Sequence, residues 1–179
     1  MATISDRATR DTGTLDIRPL TPAIGAEILG IDLGSADIAA RIPEIRAALL
    51  SHGVIFFREQ DITTAQHIAF ARAFGELEIH PATPKDQPNR EVLRIEHGPK
   101  SRGQENAWHS DVTWREEPSL GSILRGREIP EVGGDTLFAN MEAAYDGLSA
   151  ELKEQIDGLY AIHDNSVFLN AMRSRGLSD

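Results

Sequence analysis

The apolar positions along the chain change period several times, and each change marks an element. Leu15–Leu20 and Ala26–Asp32 read as two short strands, separated by a turn at Thr21-Pro22 and Gly25. Ile38, Ile42, Ile45, Leu49 and Leu50 then recur at helical spacing. They predict a helix over 38–51 with Asp37 as its cap and Gly53 as its stop. Val54-Ile55-Phe56-Phe57 is a continuous apolar run of strand length, the pattern of a strand buried on both faces. Thr63 and Gln66 form a capping-box signature for a helix that runs to Phe74, with Gly75 just beyond it.

From there the pattern loosens. Pro81, Pro84 and Pro88 mark a long loop that begins at His80. Strands are predicted at Val92–Glu96, across Ala107–Trp114, at Ser119–Ile129, from Asp135 after the Gly133-Gly134 turn, and at Leu159–His163. Helices are predicted at Met141–Asp146 with Asn140 as N-cap, at Ala150–Gly158 behind Ser149, and at Ser166–Arg175. Residues 1–14 read as a disordered lead and 15–179 as one domain. The mixture predicts an α+β fold with a jelly-roll (double-stranded β-helix) core and flanking helices. Too little chain follows Asp111 to complete eight strands, so the core is expected to be incomplete at the C-terminus.

Composition narrows the partners. With 40% hydrophobic and 26% charged residues the chain can build a globular core. A net charge of −10 argues against nucleic acid and against an anionic membrane as partners. No stretch approaches the roughly 18 apolar residues of a spanning helix, and the N-terminus carries no apolar signal core. The absence of cysteine excludes disulfides and thiolate chemistry, leaving His, Asp and Glu as the strong metal ligands. A cytoplasmic protein is expected.

The candidate chemistry centres on AWHSDVTW, residues 107–114. On a strand, His109 and Asp111 would project from one face while Trp108 and Ser110 project from the other. An imidazole beside a carboxylate supplies two-thirds of the 2-His-1-carboxylate facial triad that holds non-haem Fe(II). The competing reading is a surface strand with a local hydrogen-bonded pair. Thr136 follows two glycines, which allow close backbone approach, and its hydroxyl can donate to a carboxylate. It is equally an ordinary strand residue. His80 opens the Pro-rich loop, where a solvated histidine and a substrate contact are both open. Arg125 and Arg127 would share a strand face and read as solvated charges; His163 reads as a structural histidine in a strand.

These motifs together resemble the taurine dioxygenase family of Fe(II)- and 2-oxoglutarate-dependent oxygenases. The resemblance runs through VIFFREQDIT, FGELEIHP, WHSDVTW, GSILRGREIP, EVGGDTLFANMEAAYDGLS and GLYAIHD, in the family's order. It implies that His109 and Asp111 are iron ligands and that Thr136 contacts the distal carboxylate of 2-oxoglutarate. It also implies that His80 contacts the anionic head group of the substrate and that Trp108 is the aromatic flanking the ligands at the substrate side. The family takes its second iron histidine, and an arginine for 2-oxoglutarate, from further downstream than this chain reaches. The chain is therefore expected to be about the first two-thirds of a family member, with a weak iron site on its own. Thr83 stands where taurine-specific members carry an aromatic.

The implied reaction spends 2-oxoglutarate and O2 to hydroxylate a small anionic organic substrate, a sulfonate or alkyl sulfate. Sulfite or sulfate, succinate and CO2 leave. A homo-oligomer, dimer or tetramer, is the implied assembly. The alternatives are a fragment or pseudo-enzyme serving as an interaction module, and a metal-dependent hydrolase or cupin-like binding protein.

Overall fold

The computed structural model describes residues 14–80, 83–98 and 108–174. The N-terminal pattern is realised almost as the apolar periods dictate. Strands β1 (Asp16–Pro19) and β2 (Ala26–Leu29) pair antiparallel, with Asp16 opposite Leu29 and Pro19 opposite Ala26. The turn between them is closed by Leu20 N–H donating to Gly25 O at 2.8 Å, and by Thr21 Oγ1 accepting from Ile24 N at 3.0 Å. Gly25 sits at φ 92°, a conformation that favours glycine.

β3 (Ile55–Phe56) then runs parallel to β2, placing Ala26 opposite Ile55. Parallel neighbours need a crossover, and helix α1 (Ile38–His52) provides it. Its core-facing side centres on Ile45, at 0% exposure, with Ala48 also buried. Leu50 breaks the expected stripe and lies exposed. Five residues beyond Ile45, at about 100° per residue, it falls on the far side of the helix. The core joins Ile45 to Leu33, Ile62 and Phe70, with Ile38, Ile42, Ile55, Phe57 and Phe74 around them. Val54–Phe57 is half-buried and not enclosed on both faces, because among the described residues β3 is an edge strand with β2 as its one neighbour.

Helix α2 (Thr64–Arg72) starts with the expected capping box. Gln66 N–H donates to Thr63 Oγ1 at 3.2 Å and Thr63 N–H to Gln66 Oε1 at 2.8 Å. Three short helices follow: α3 (Met141–Asp146), α4 (Ala150–Ile156) and α5 (Ser166–Ser174). Asn140 caps α3 by accepting from Ala143 N at 3.0 Å, and its Nδ2 donates to Ala23 O at 2.8 Å. That bond ties α3 to the β1–β2 turn.

The remaining strand expectations are not met. The described residues hold three strands in one sheet, with none at 92–96, 108–114, 119–129, 135–139 or 159–163. A strand exists only where a ladder partner satisfies its amides, and these segments have none among the described residues. Most of their apolar side chains are open to solvent, Leu124 at 74% and Ile162 at 93%. The architecture is α+β with a small mixed sheet, without the eight strands of a jelly roll among the described residues. These residues fall into two compact units, one reaching Gly75 and including Pro130–Gln155, the other made of Glu76–Ile129 and the chain from Ile156. No described helix is long and apolar enough to cross a membrane.

Candidate metal centre

His109 and Asp111 lie in the second unit, in irregular chain that becomes a turn at Asp111. The expected strand is broken at Val112, whose φ is 50°. A β-branched residue in that left-handed region costs about 1–3 kcal/mol and cannot continue an extended ladder. Arg115 N–H donates to Val112 O at 3.1 Å and closes the turn. The face-alternation argument for the pair therefore fails, yet the two side chains still converge.

His109 Nε2 lies 3.3 Å from Asp111 Oδ1, with the side chains 63% and 66% exposed. So exposed an ion pair contributes little to stability. The spacing has another use. Two donors in neighbouring positions of an octahedral ion, each about 2.1 Å from it, stand about 3.0 Å apart. The pair fits one ion with a small adjustment. Asp111 Oδ2 also faces Ser122 Oγ at 3.4 Å, a long contact that leaves the carboxylate accessible. Among the described residues no group of three His, Asp or Glu side chains could hold a metal. The pair presents one imidazole and one carboxylate, two of the three donors that a facial triad requires.

The other expected residues divide between the units. Trp108 stands exposed immediately before His109. His80 is half-buried, and its carbonyl accepts from Thr83 N at 2.9 Å. Thr83 is itself 4% exposed. Both belong to the unit that holds the pair. Thr136 belongs to the other unit, exposed and outside any strand, two residues beyond Gly134 at φ 76°. His163 is exposed and outside any strand, which overturns its structural-histidine reading. Arg125 and Arg127 share no strand face, because that segment is irregular. Two surface clefts are lined by residues of the first unit. One of about 510 Å³ is lined by Met141, Glu142, Tyr145 and Asp146, and one of about 290 Å³ lies between the start of β1 and α1.

Sequence reasoning missed the groups that anchor the chain after the pair. Arg115 Nη2 stands 2.6 Å from Glu78 Oε1, in the geometry of an ion pair and not of a hydrogen bond. Ser119 Oγ donates to Glu78 Oε2 at 2.8 Å across 41 residues. No period or motif signals a contact of that span. Further along this unit, the Ser166 hydroxyl, and then its N–H, hold the exposed Asp164 carboxyl below the usual aspartate range.

Comparison with known proteins places these residues in context. The chain matches the family model of the taurine catabolism dioxygenases TauD and TfdA over residues 16–175. It is 41% identical over 152 residues to an alpha-ketoglutarate-dependent sulfate ester dioxygenase of Pseudomonas putida, covering 84% of this chain and 50% of that protein. It is 40% identical to an alkylsulfatase of Acinetobacter baylyi, covering 86% of this chain and 48% of the other. A solved taurine dioxygenase from Burkholderia xenovorans superposes with a TM-score of 0.67 at 39% identity, over 81% of this chain and 51% of that one. The chain spans about half the length of the curated relatives it matches.

Proposed function

Because the chain belongs to the TauD/TfdA family of taurine catabolism dioxygenases, we propose that it carries the His–carboxylate half of the iron site of an Fe(II)- and 2-oxoglutarate-dependent dioxygenase. The substrate class is a small organosulfur anion, an alkyl sulfate ahead of a sulfonate. The observation that carries this reading is the approach of His109 Nε2 to Asp111 Oδ1 at 3.3 Å, inside the segment the family model matches. The names of the Pseudomonas and Acinetobacter relatives support the sulfate ester. Residues 15–179 are then one part of a single jelly-roll domain, a reading supported by the superposition on the Burkholderia structure.

When bound, the metal with 2-oxoglutarate and O2 supplies the oxidising power that turns a C–H bond into C–OH. The residues of this chain do the rest by position and charge. His109 through an imidazole nitrogen and Asp111 through its carboxylate would hold the metal and leave positions for other ligands. Thr136 offers its hydroxyl to the distal carboxylate of 2-oxoglutarate. His80 would donate a ring N–H to an oxygen of the anionic head group, and Trp108 would wall the substrate side with an apolar ring. Hydroxylation at the carbon bearing the sulfate gives a hemiacetal ester that expels sulfate and leaves an aldehyde.

The test uses the complete gene product with Fe(II), 2-oxoglutarate and either a medium-chain alkyl sulfate or taurine. Sulfate release coupled to succinate formation is expected, exceeding sulfite release from taurine. His109→Ala and Asp111→Ala should each abolish it. Turnover that survives both substitutions contradicts the assignment. An interaction module without a metal site would consume no 2-oxoglutarate under any condition, and the dioxygenase names of the relatives disfavour it.

A further inference from the structure

The groups around Glu78 join two stretches that the proposed function needs together. Glu78 lies two residues before His80, and its carboxylate is engaged on both oxygens. Oε1 pairs with Arg115 Nη2 at 2.6 Å, and Oε2 accepts from Ser119 Oγ at 2.8 Å. Arg115 is the residue whose N–H closes the turn on Val112 O, directly after Asp111. Ser119 lies three residues before Ser122, which reaches Asp111 Oδ2. One carboxylate therefore grips the chain on the C-terminal side of the metal pair at two points, and does so from the root of the His80 loop.

We propose that Glu78 is a positioning residue that fixes the His80 segment against the turn presenting His109 and Asp111. The inference rests on the proposed function for what the turn presents, and not for the clamp itself. The energetic logic follows from the turn. Val112 at φ 50° is held in a sparsely populated conformation, and such a conformation persists only where its surroundings over-determine it. The Glu78 side chain is 26% exposed and that of Arg115 42%, so the pair is partly shielded from solvent screening. Ser119 adds a charge-assisted hydrogen bond that directs the same carboxylate. Without Glu78, Arg115 loses this anion, the turn loses an anchor, and the separation of the two donors is held less firmly. Metal affinity and the placing of His80 should then fall together.

The experiment reads the clamp and the metal separately, with Mn(II) as probe. In the unaltered protein, paramagnetic broadening of the His109 ring proton signals reports binding, and hydrogen exchange at the Arg115 amide reports the turn. Glu78→Ala should raise the Mn(II) concentration needed for half-broadening roughly 10-fold, the usual scale for residues that orient ligands, and should speed Arg115 exchange. Glu78→Gln keeps an acceptor for Ser119 and should fall between, which preserves the test if the alanine variant does not fold. The swap Glu78→Arg with Arg115→Glu should recover most of the exchange protection. Unchanged exchange in Glu78→Ala and Glu78→Gln overturns the clamp. If the unaltered protein shows no broadening, the metal assignment fails, while the exchange data still decide the role of Glu78.

Discussion

Gln60 ties together the two loops that bracket the core of the N-terminal unit, and its removal should be costly. Its Oε1 accepts from Leu33 N at 2.8 Å, while its Nε2 donates to Ile31 O at 2.9 Å and Arg58 O at 2.8 Å. The first two bonds are partly buried and span almost thirty residues, from the loop after β2 to the segment after β3. In Gln60→Ala each buried bond costs about 1 kcal/mol net. Leu33 is 7% exposed, so its stranded N–H adds a desolvation penalty. With that penalty the total is roughly 3 kcal/mol. Urea unfolding followed by circular dichroism should show the midpoint falling by roughly 1–3 M. Exchange at the Leu33 amide should quicken in parallel. Gln60→Glu offers a sharper comparison: it keeps the acceptor for Leu33 but sets an anionic oxygen against two carbonyls, so it should be no better than alanine at neutral pH. A loss below about 0.5 kcal/mol in Gln60→Ala, with Leu33 still protected, would refute this account of the loop pairing.

Other outcomes follow from the same structure. Ile45→Ala empties the fully buried centre of α1 and should cost about 2–5 kcal/mol in the same unfolding assay. Thr63→Ala removes one half of the α2 capping box and should cost about 1 kcal/mol, with Thr63→Ser close to neutral. The Asp164 carboxyl is held low by the Ser166 hydroxyl first and its N–H second. Its support for the start of α5 is thus complete above the unfolded aspartate value and is lost as pH falls through the lower folded one. Carboxyl NMR titration should show Asp164 below the usual range in the native protein and returning towards it in Ser166→Ala.

Local rules made most of residues 14–75 readable. The Thr63 and Gln66 pair, the Ile45 face and the turn at Gly25 each depend on neighbours a few positions away, and periodicity reports such neighbours. Leu50 escaped because one extra apolar residue fits a loose stripe as well as a strict one. The strands expected after residue 90 failed for a different reason: strand propensity in Val92–Glu96 or Ser119–Ile129 says nothing about where a ladder partner lies. Val112 defeated the His-x-Asp alternation, since no propensity scale places valine at positive φ. Even so, residue type and spacing identified His109 and Asp111 as neighbours, because a two-residue separation brings side chains within reach in a turn as well as on a strand. Glu78, Arg115 and Ser119 stayed invisible, joined only by the folded path of the chain.

The measurement that bears most directly on the account is anaerobic titration of the complete gene product with Fe(II) in the presence of 2-oxoglutarate, read in the visible region and repeated on His109→Ala and Asp111→Ala. A weak charge-transfer band that saturates in the unaltered protein and disappears in both variants is the predicted result. A band of equal strength in either variant would show that the ion is held elsewhere, and no band in the unaltered protein would remove the metal from this turn.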